Sequence, residues 1–485
     1  MKDTIGKSAV VLTISKVLTM LIGLASAMML SRFRTLEEYG TYSQLLVATN
    51  VAVSIFTLGL PNSVNFFLVN DDAKERRRFL SVYYTLSTII CVIMGVALVC
   101  AVPLLVFYFE NPQIEKFAYF LALFPWTSVI IASMANVMVV YKQIKKLMLL
   151  NAINSFVALF AILLVQIAGW SFQEYMKIYL LGEIIITICI YVIVNGFEGR
   201  LNFLIDIKLV KDIFRYSIPI GLASILGTIN IELDKLMIGK LYDTESLAIY
   251  ANAGKELPLT IIASSFTAVL LPRMAKKIKE KRVHEAIELW GKTVELSFIF
   301  MGLIVSMLIV FAPQIVTVLY SEKYLPGVGV FRVYAMVLLL RITYFGMILS
   351  SMGKTKSVLY SSLMTLGVNT IFNLLLYKVL GFEGPAFATF ISITVAGVTQ
   401  LKETSKVTGI SFIKIFPWKK LIYHAAINCI FGIVCYILLN LFNVGVGLAD
   451  IGVCVIAALF WGLVYILFEK KCVVKLWREL NGDKE

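Results

Sequence analysis

Apolar runs of spanning length recur from one end of this 485-residue chain to the other. They fall at about 8–30, 43–69, 79–108, 117–140, 147–170, 175–195, 216–239, 246–271, 288–319, 327–350, 355–380, 384–401, 421–442 and 449–468. A helix needs roughly 20 apolar residues to cross a hydrocarbon core about 30 Å thick. Inside that core a backbone must satisfy its own hydrogen bonds, which a helix does within one segment. The pattern therefore predicts an all-α polytopic membrane protein with about fourteen transmembrane helices. Composition agrees: 59% of the residues are hydrophobic and 15% charged, and mean hydropathy is +0.87. Soluble domains carry about 25% charged residues, so an ordinary soluble enzyme is excluded.

The segments between the runs alternate in charge. If the N-terminus is cytoplasmic, the inside segments begin with Lys2 and Lys7, then Lys74 and Arg76 to Arg78, then Lys142, Lys145 and Lys146. They end with Lys470, Lys471, Lys475, Arg478 and Lys484, and together they hold thirty-one Lys and Arg. The outside loops hold seven: Arg32, Arg34, Lys116, Lys177, Lys240, Lys323 and Lys378. Basic loops stay in the cytoplasm, and one missed or invented span would scramble every later loop. The bias supports fourteen spans, both termini cytoplasmic, in the cell (plasma) membrane. It also accounts for the net charge of +14 without a nucleic-acid partner.

Conventional catalytic and cofactor signatures are missing. Gly291-Lys292-Thr293 and Gly353-Lys354-Thr355 resemble the end of a phosphate-binding loop, but the required first glycine is Ala286 in one and Ile348 in the other. No nucleotide site, and no cofactor, is expected. The only histidines, His284 and His424, lie far apart, and the seven cysteines form no CxxC pair, so no metal site is expected either. The first run has a basic start and Ala25-Ser26-Ala27, as a signal peptide would. Lys16 interrupts it and the apolar stretch continues to Leu30, which reads as a retained first helix. The segment Ser411 to Lys420 mixes Phe412, Ile413, Ile415, Phe416 and Trp418 with three lysines, a pattern suited to the membrane interface.

Residues 39–61 and 249–272 echo one another: a tyrosine, a helix with polar residues in its first half, then a proline. The offset of six spans suggests parallel repeats. The expected layout is a six-helix lobe over 1–200, a second over 201–405, and an interfacial segment with two further helices and a basic tail over 406–485.

Charges inside spans are the informative residues, because each costs at least about 2.5–3.5 kcal/mol to insert. They are Lys16, Glu183, Glu232, Asp234, Lys235, Lys255, Glu256, Arg332 and Arg341. Glu232 and Lys235 stand three apart and can neutralise one another; Arg332 lies near enough to the outer interface to snorkel. Gln44, Asn50, Asn65, Asn230, Asn252 and Asn369 add amides. Their concentration on the first two and the seventh and eighth helices suggests a shared polar cavity. Lys16, Asn50, Lys255, Arg332 and Arg341 are the candidates for substrate binding. Glu183, Glu232, Asp234, Lys235 and Glu256 are the candidates for a coupling ion.

Leu30-Ser-Arg-Phe-Arg-Thr-Leu-Glu-Glu-Tyr-Gly-Thr-Tyr, with Leu58-Gly-Leu-Pro61, resembles the N-terminal signature of the polysaccharide repeat-unit (O-antigen/capsule, Wzx-type) flippases. Asp234-Lys-Leu-Met-Ile-Gly239, Tyr250-Ala251 and Pro272 are similar to their second half, although Ala248 stands where glycine is common. These proteins belong to the multidrug/oligosaccharidyl-lipid/polysaccharide exporter superfamily. The resemblance implies a non-enzymatic carrier that moves polyprenyl-pyrophosphate-linked oligosaccharide to the outer leaflet by alternating access. The partners it implies are that lipid-linked sugar, membrane lipids, and the polymerase and glycosyltransferases of the pathway. A cation-coupled multidrug antiporter of the same superfamily is the alternative; it would place Glu183, Glu232 or Asp234 in the lead. A membrane scaffold or glycosyltransferase fits less well, for want of a sizeable extramembrane domain or an acidic metal motif.

Overall fold

In the computed structural model, which describes residues 2–70, 72–255, 257–259, 270–271 and 273–481, every regular element is a helix. The chain divides into two compact units, residues 1–251 and 252–485.

The first unit contains α1 (Lys2–Phe33), α2 (Leu36–Thr57), α3 (Leu60–Phe67), α4 (Ala73–Cys100) and α5 (Val102–Phe109). It continues with α6 (Ala118–Val140), α7 (Ile144–Ala168), α8 (Phe172–Glu198), α9 (Ile207–Leu241) and most of α10 (Thr244–Ala253). The Thr35 hydroxyl accepts from the Glu38 amide while the Glu38 carboxylate accepts from the Thr35 amide, a reciprocal cap that starts α2. The helix stops at Leu58 and Gly59, both left-handed at φ 45° and 75°, and α3 resumes with Pro61 in its first turn at a bend of 47°. A Cβ on Gly59 would lie 2.7 Å from the Gly221 amide nitrogen, and one on Gly221 of α9 would lie 2.1 Å from the Leu58 carbonyl carbon. Glycine at both positions lets the backbones of α3 and α9 touch. Inside, Leu60, Val64, Tyr83, Ile130, Met134 and Ile190 form the apolar core.

The second unit holds α11 (Val283–Val310), α12 (Ala312–Tyr320), α13 (Val328–Leu340), α14 (Met347–Ser351) and α15 (Thr355–Leu380). After them come α16 (Gly384–Thr408), the short α17 (Phe412–Ile415), α18 (Trp418–Leu441) and α19 (Leu448–Asn481). Trp461 and Tyr465 of α19 pack with Leu296, Ile299 and Phe311, which fixes the last helices onto α11. The expected interfacial segment is pinned by its aromatics. Phe416 is buried against Trp290 and Phe345, while Ile413 stays exposed.

Among the described residues eleven stretches are long and apolar enough to cross a membrane, or twelve with the bent α2–α3 pair. That is fewer than the fourteen expected. One of the eleven, Lys356–Thr408, runs through both α15 and α16, and the expected span 246–271 is described only in part, residues 256 and 260–269 lying outside. Large apolar side chains such as Phe107, Ile167 and Leu459 point outward, as a bilayer requires. The expected span 327–350 is not one helix: α13 ends at Leu340, and Arg341–Gly346 is irregular before α14.

Candidate functional site

The polar residues of the first unit gather along α2 and α9. A helix places residues three and four apart on one face, and Glu232 and Lys235 of α9 use this spacing: the Lys235 ammonium lies 2.9 Å from the Glu232 carboxylate. Asn50 of α2 donates to the other Glu232 oxygen at 3.0 Å. Beneath them lies a cavity of about 390 Å³ lined by Asn50, Ser54, Thr57, Asn62, Thr228 and Glu232. These hydroxyls and amides alternate with Val53, Pro61 and Ile231 on its wall, and its one carboxylate is already compensated. That surface suits uncharged polar groups.

Asp234, two residues from Glu232, points elsewhere. It is 1% exposed and accepts a hydrogen bond from the Tyr250 hydroxyl at 3.3 Å, which holds α10 against α9. Glu183 is buried on α8 beside Tyr179, apart from the Glu232 cluster. Lys16 is exposed on α1; the neighbouring Ser15 accepts from Asn151 of α7. Glu256 lies outside the described residues.

In the second unit Lys255 and Arg341 line one crevice with Phe331, Tyr334 and Leu338. Its volume is about 20 Å³, space for about one water. Arg341 follows the last residue of α13, where the unmet carbonyls of a helix end favour a cation. Irregular backbone at membrane depth is tolerated only when buried in protein or lining a cavity. Here it is braced: Trp290 donates to the Thr343 hydroxyl at 2.8 Å, and the hydroxyls of Tyr344 and Ser350 lie 2.9 Å apart. Arg332, one face away on α13, donates to the Ile309 carbonyl at 3.1 Å, so it braces α13 against α11 rather than joining the crevice.

Several polar groups were missed in the sequence. Asn111, in the turn after α5, donates to Gln44 at 2.6 Å and to the Thr41 hydroxyl at 2.9 Å. Asn373 donates at 3.0 Å to Asn369, an amide the sequence did single out. The largest missed cluster joins Glu295, Lys420, His424 and Glu469. These residues lie on three helices far apart in the chain, so no local spacing signals them. Two basic residues read only as topology markers make specific contacts: Arg76 pairs with Glu198, and Arg78 with Asp206.

The fold and these sites can now be set beside known proteins. Residues 29–329 match the family of polysaccharide biosynthesis proteins. An uncharacterized membrane protein of Methanocaldococcus jannaschii is 24% identical over 394 residues, covering 76% of this chain and 91% of that one. The capsular polysaccharide biosynthesis protein CapF of Staphylococcus aureus is 21% identical over 401 residues, covering 79% and 95%. Among solved structures, the lipid II flippase MurJ in an inward closed conformation matches with a TM-score of 0.74 at 15% identity, over 96% of this chain and all of that one. An inward-facing multidrug resistance MATE transporter of the MOP superfamily matches with a TM-score of 0.62 at 18% identity, over 81% and 94%. The fold is thus that of this exporter superfamily. The chain belongs to the polysaccharide biosynthesis protein family, and the resemblance read from its sequence to polysaccharide flippases holds at that level.

The signature residues carrying that resemblance are joints. Thr35 and Glu38 cap α2, Gly40 packs so that a Cβ would lie 2.0 Å from the Thr244 carbonyl oxygen, and Leu58 to Pro61 form the bend. Asp234 and Tyr250 join α9 to α10.

Proposed function

We propose that this protein carries an oligosaccharide linked to polyprenyl pyrophosphate from the cytoplasmic to the outer leaflet by alternating access, without nucleotide. A sugar headgroup entering hydrocarbon forfeits hydrogen bonds at several kcal/mol per group, so the carrier must offer polar partners while the lipid tail stays in the bilayer. The observation that carries the reading is the pairing of Lys255 and Arg341 on one crevice at the break after α13. The crevice holds about one water as it stands, so alternating access must open it for two cations to meet two phosphates, whose oxygens the guanidinium fork matches. Asn50 and the hydroxyl-lined cavity are assigned to sugar groups, and Lys16 to the approaching headgroup. Arg332 is likewise assigned to substrate binding, outside the crevice of Arg341. Glu183, Glu232, Asp234, Lys235 and Glu256 remain the residues assigned to the coupling ion. With the cell interior negative, export of each negative charge gains about 2.3 kcal/mol per 100 mV.

The antiporter alternative needs an available carboxylate to greet a cationic drug. In the first-unit cavity the Glu232 carboxylate is held by Lys235 and Asn50, which favours the anionic substrate.

The test is depletion of the protein followed by measurement of lipid-linked oligosaccharide on the cytoplasmic leaflet, which should rise. Proteoliposomes with an imposed potential and no nucleotide should flip the lipid. Flipping that needs ATP, or that survives intact in the K255A/R341A double variant, overturns the proposal.

A further inference from the structure

Glu295, His424 and Cys472 come together inside the second unit, from α11, α18 and α19 respectively, with one ligand atom of each within 4.8 Å of the others. We propose that they form a binding site for a single divalent transition-metal ion, Zn²⁺ in preference, which ties α18 and α19 to α11. No histidine pair or cysteine pair marks it in the sequence. The site uses a single member of each residue type.

The geometry begins with His424, which is 2% exposed. Its Nδ1 lies 2.8 Å from Glu469 Oε1. An ionised carboxylate only accepts hydrogen bonds, so Nδ1 carries the proton and, in the neutral ring, Nε2 offers a lone pair. A carboxylate holding the far nitrogen of a ligating histidine is the usual arrangement that fixes tautomer and ring orientation. Nε2 faces Glu295 Oε1 at 3.7 Å, and Cys472 Sγ lies 3.8 Å from the same oxygen. An Nε2–H could not make a good hydrogen bond across 3.7 Å. Two ligands of one tetrahedral zinc, at its usual bond lengths, stand about 3.3–3.6 Å apart. The two separations from Glu295 need only a small contraction, and the third, between His424 and Cys472, starts within 4.8 Å.

Charge is no obstacle: zinc, the Glu295 carboxylate and a Cys472 thiolate sum to zero, and Lys420 stays 2.6 Å from Glu295 Oε2. Binding releases the Cys472 thiol proton to solvent, together with the Nε2 proton wherever the ring is charged. Asn428 donates to the His424 carbonyl and to the Tyr465 hydroxyl, each at 3.0 Å, which steadies the turn of α18 that carries the histidine. An entry route exists: Cys472 is only half-buried and the Lys420 side chain is 57% exposed. The mixed nitrogen, oxygen and sulfur donor set suits zinc and excludes magnesium or calcium as preferred occupants.

The test uses the full chain, purified in detergent without a polyhistidine tag. Zinc content should be one equivalent, and Co²⁺ titrated into the stripped protein should give visible tetrahedral bands with a near-ultraviolet thiolate-to-cobalt band. C472S should abolish the thiolate band, H424N should weaken Co²⁺ binding at least ~10-fold, and E469Q, which acts through His424, should weaken it about 10-fold. Should H424N fail to fold, C472S, a near-isosteric change at a half-buried position, carries the test alone, with its melting temperature recorded in chelator. Absence of stoichiometric metal, an octahedral cobalt spectrum without a thiolate band, or wild-type affinity in C472S would each overturn the site.

Discussion

In the first unit one pair of charges inside the spans is matched by local spacing. Glu232 and Lys235 are three residues apart on α9, and Asn50 completes the carboxylate's hydrogen bonding. In the second unit Lys255 and Arg341 come from distant parts of the chain and line the same crevice, one of them at a helix that stops short. Pairing within one helix turn lowers the insertion cost and leaves a cavity lined by amides and hydroxyls. Two cations on one crevice can both donate to a single anion. The first arrangement suits sugar hydroxyls, the second phosphate.

The largest expected effect tests that division. Removing a charged hydrogen-bond partner costs about 1.5–3 kcal/mol, so Arg341→Ala and Lys255→Ala should each reduce flipping roughly 10–100-fold with the protein still in the membrane. Arg341→Lys should keep more activity than Arg341→Ala, because the charge survives. Asn50→Ala should cost less than about 10-fold, because Lys235 still compensates the Glu232 carboxylate that Asn50 bonds and what the substrate loses is one neutral hydrogen bond. An Asn50→Ala defect as deep as that of Arg341→Ala would erase the distinction between the two regions.

A second test strikes the joint that shapes the first-unit cavity. An alanine Cβ at position 221 would sit 2.1 Å from the Leu58 carbonyl carbon, so α9 must retreat from the bend. Gly221→Ala should destabilise by about 1–3 kcal/mol, the scale of overpacking, and should lower the melting temperature of the detergent-solubilised protein. Gly59→Ala adds the strain of a left-handed alanine at φ 75°. Ala substitution at Gly227, which meets nothing within 4 Å, is the control and should leave melting unchanged.

The Glu232–Lys235 pair offers a smaller and sharper measurement. If the two merely compensate each other, Glu232→Gln and Lys235→Met should each impair transport a few-fold and the double variant should recover, with a coupling energy of about 0.5–3 kcal/mol. If Glu232 also binds the coupling ion, the double variant will flip lipid but ignore an imposed gradient. Proteoliposome assays with and without the gradient separate these outcomes.

Much of this organisation was legible in the sequence, because spans and charge bias are local patterns. The Glu232–Lys235 contact was readable from its three-residue spacing, and Asn50 was named as a polar residue in a span. What was not legible depends on tertiary context. Nothing around Arg341 distinguishes an end of helix from its middle: Leu340 and Ile342 are as apolar as their neighbours, and the break is stabilised by Trp290, some fifty residues earlier. The contact Arg332 makes is equally tertiary: its partner is a backbone carbonyl on α11. The Glu295–His424–Glu469 cluster was invisible for the same reason.

The smallest expected effect concerns a contact outside the spans. Asp206 caps α9 by accepting from the Leu209 amide, and it pairs with Arg78. The Leu209 amide, first, and the Arg78 guanidinium, second, hold its carboxyl below the usual carboxylate range. A depressed folded-state value means that the stabilisation is fully present above the unfolded value, about 3.9. It is lost as pH falls through the folded value, where the native state must also take up the proton. Asp206→Asn separates the two contributions, because asparagine caps a helix about as well as aspartate but cannot pair with Arg78. The wild type should therefore melt slightly above Asp206→Asn at neutral pH, and the gap should close as the pH drops below about 4. A gap that persists or widens in acid would mean that the carboxylate charge contributes nothing there and that the cap alone fixes the start of α9.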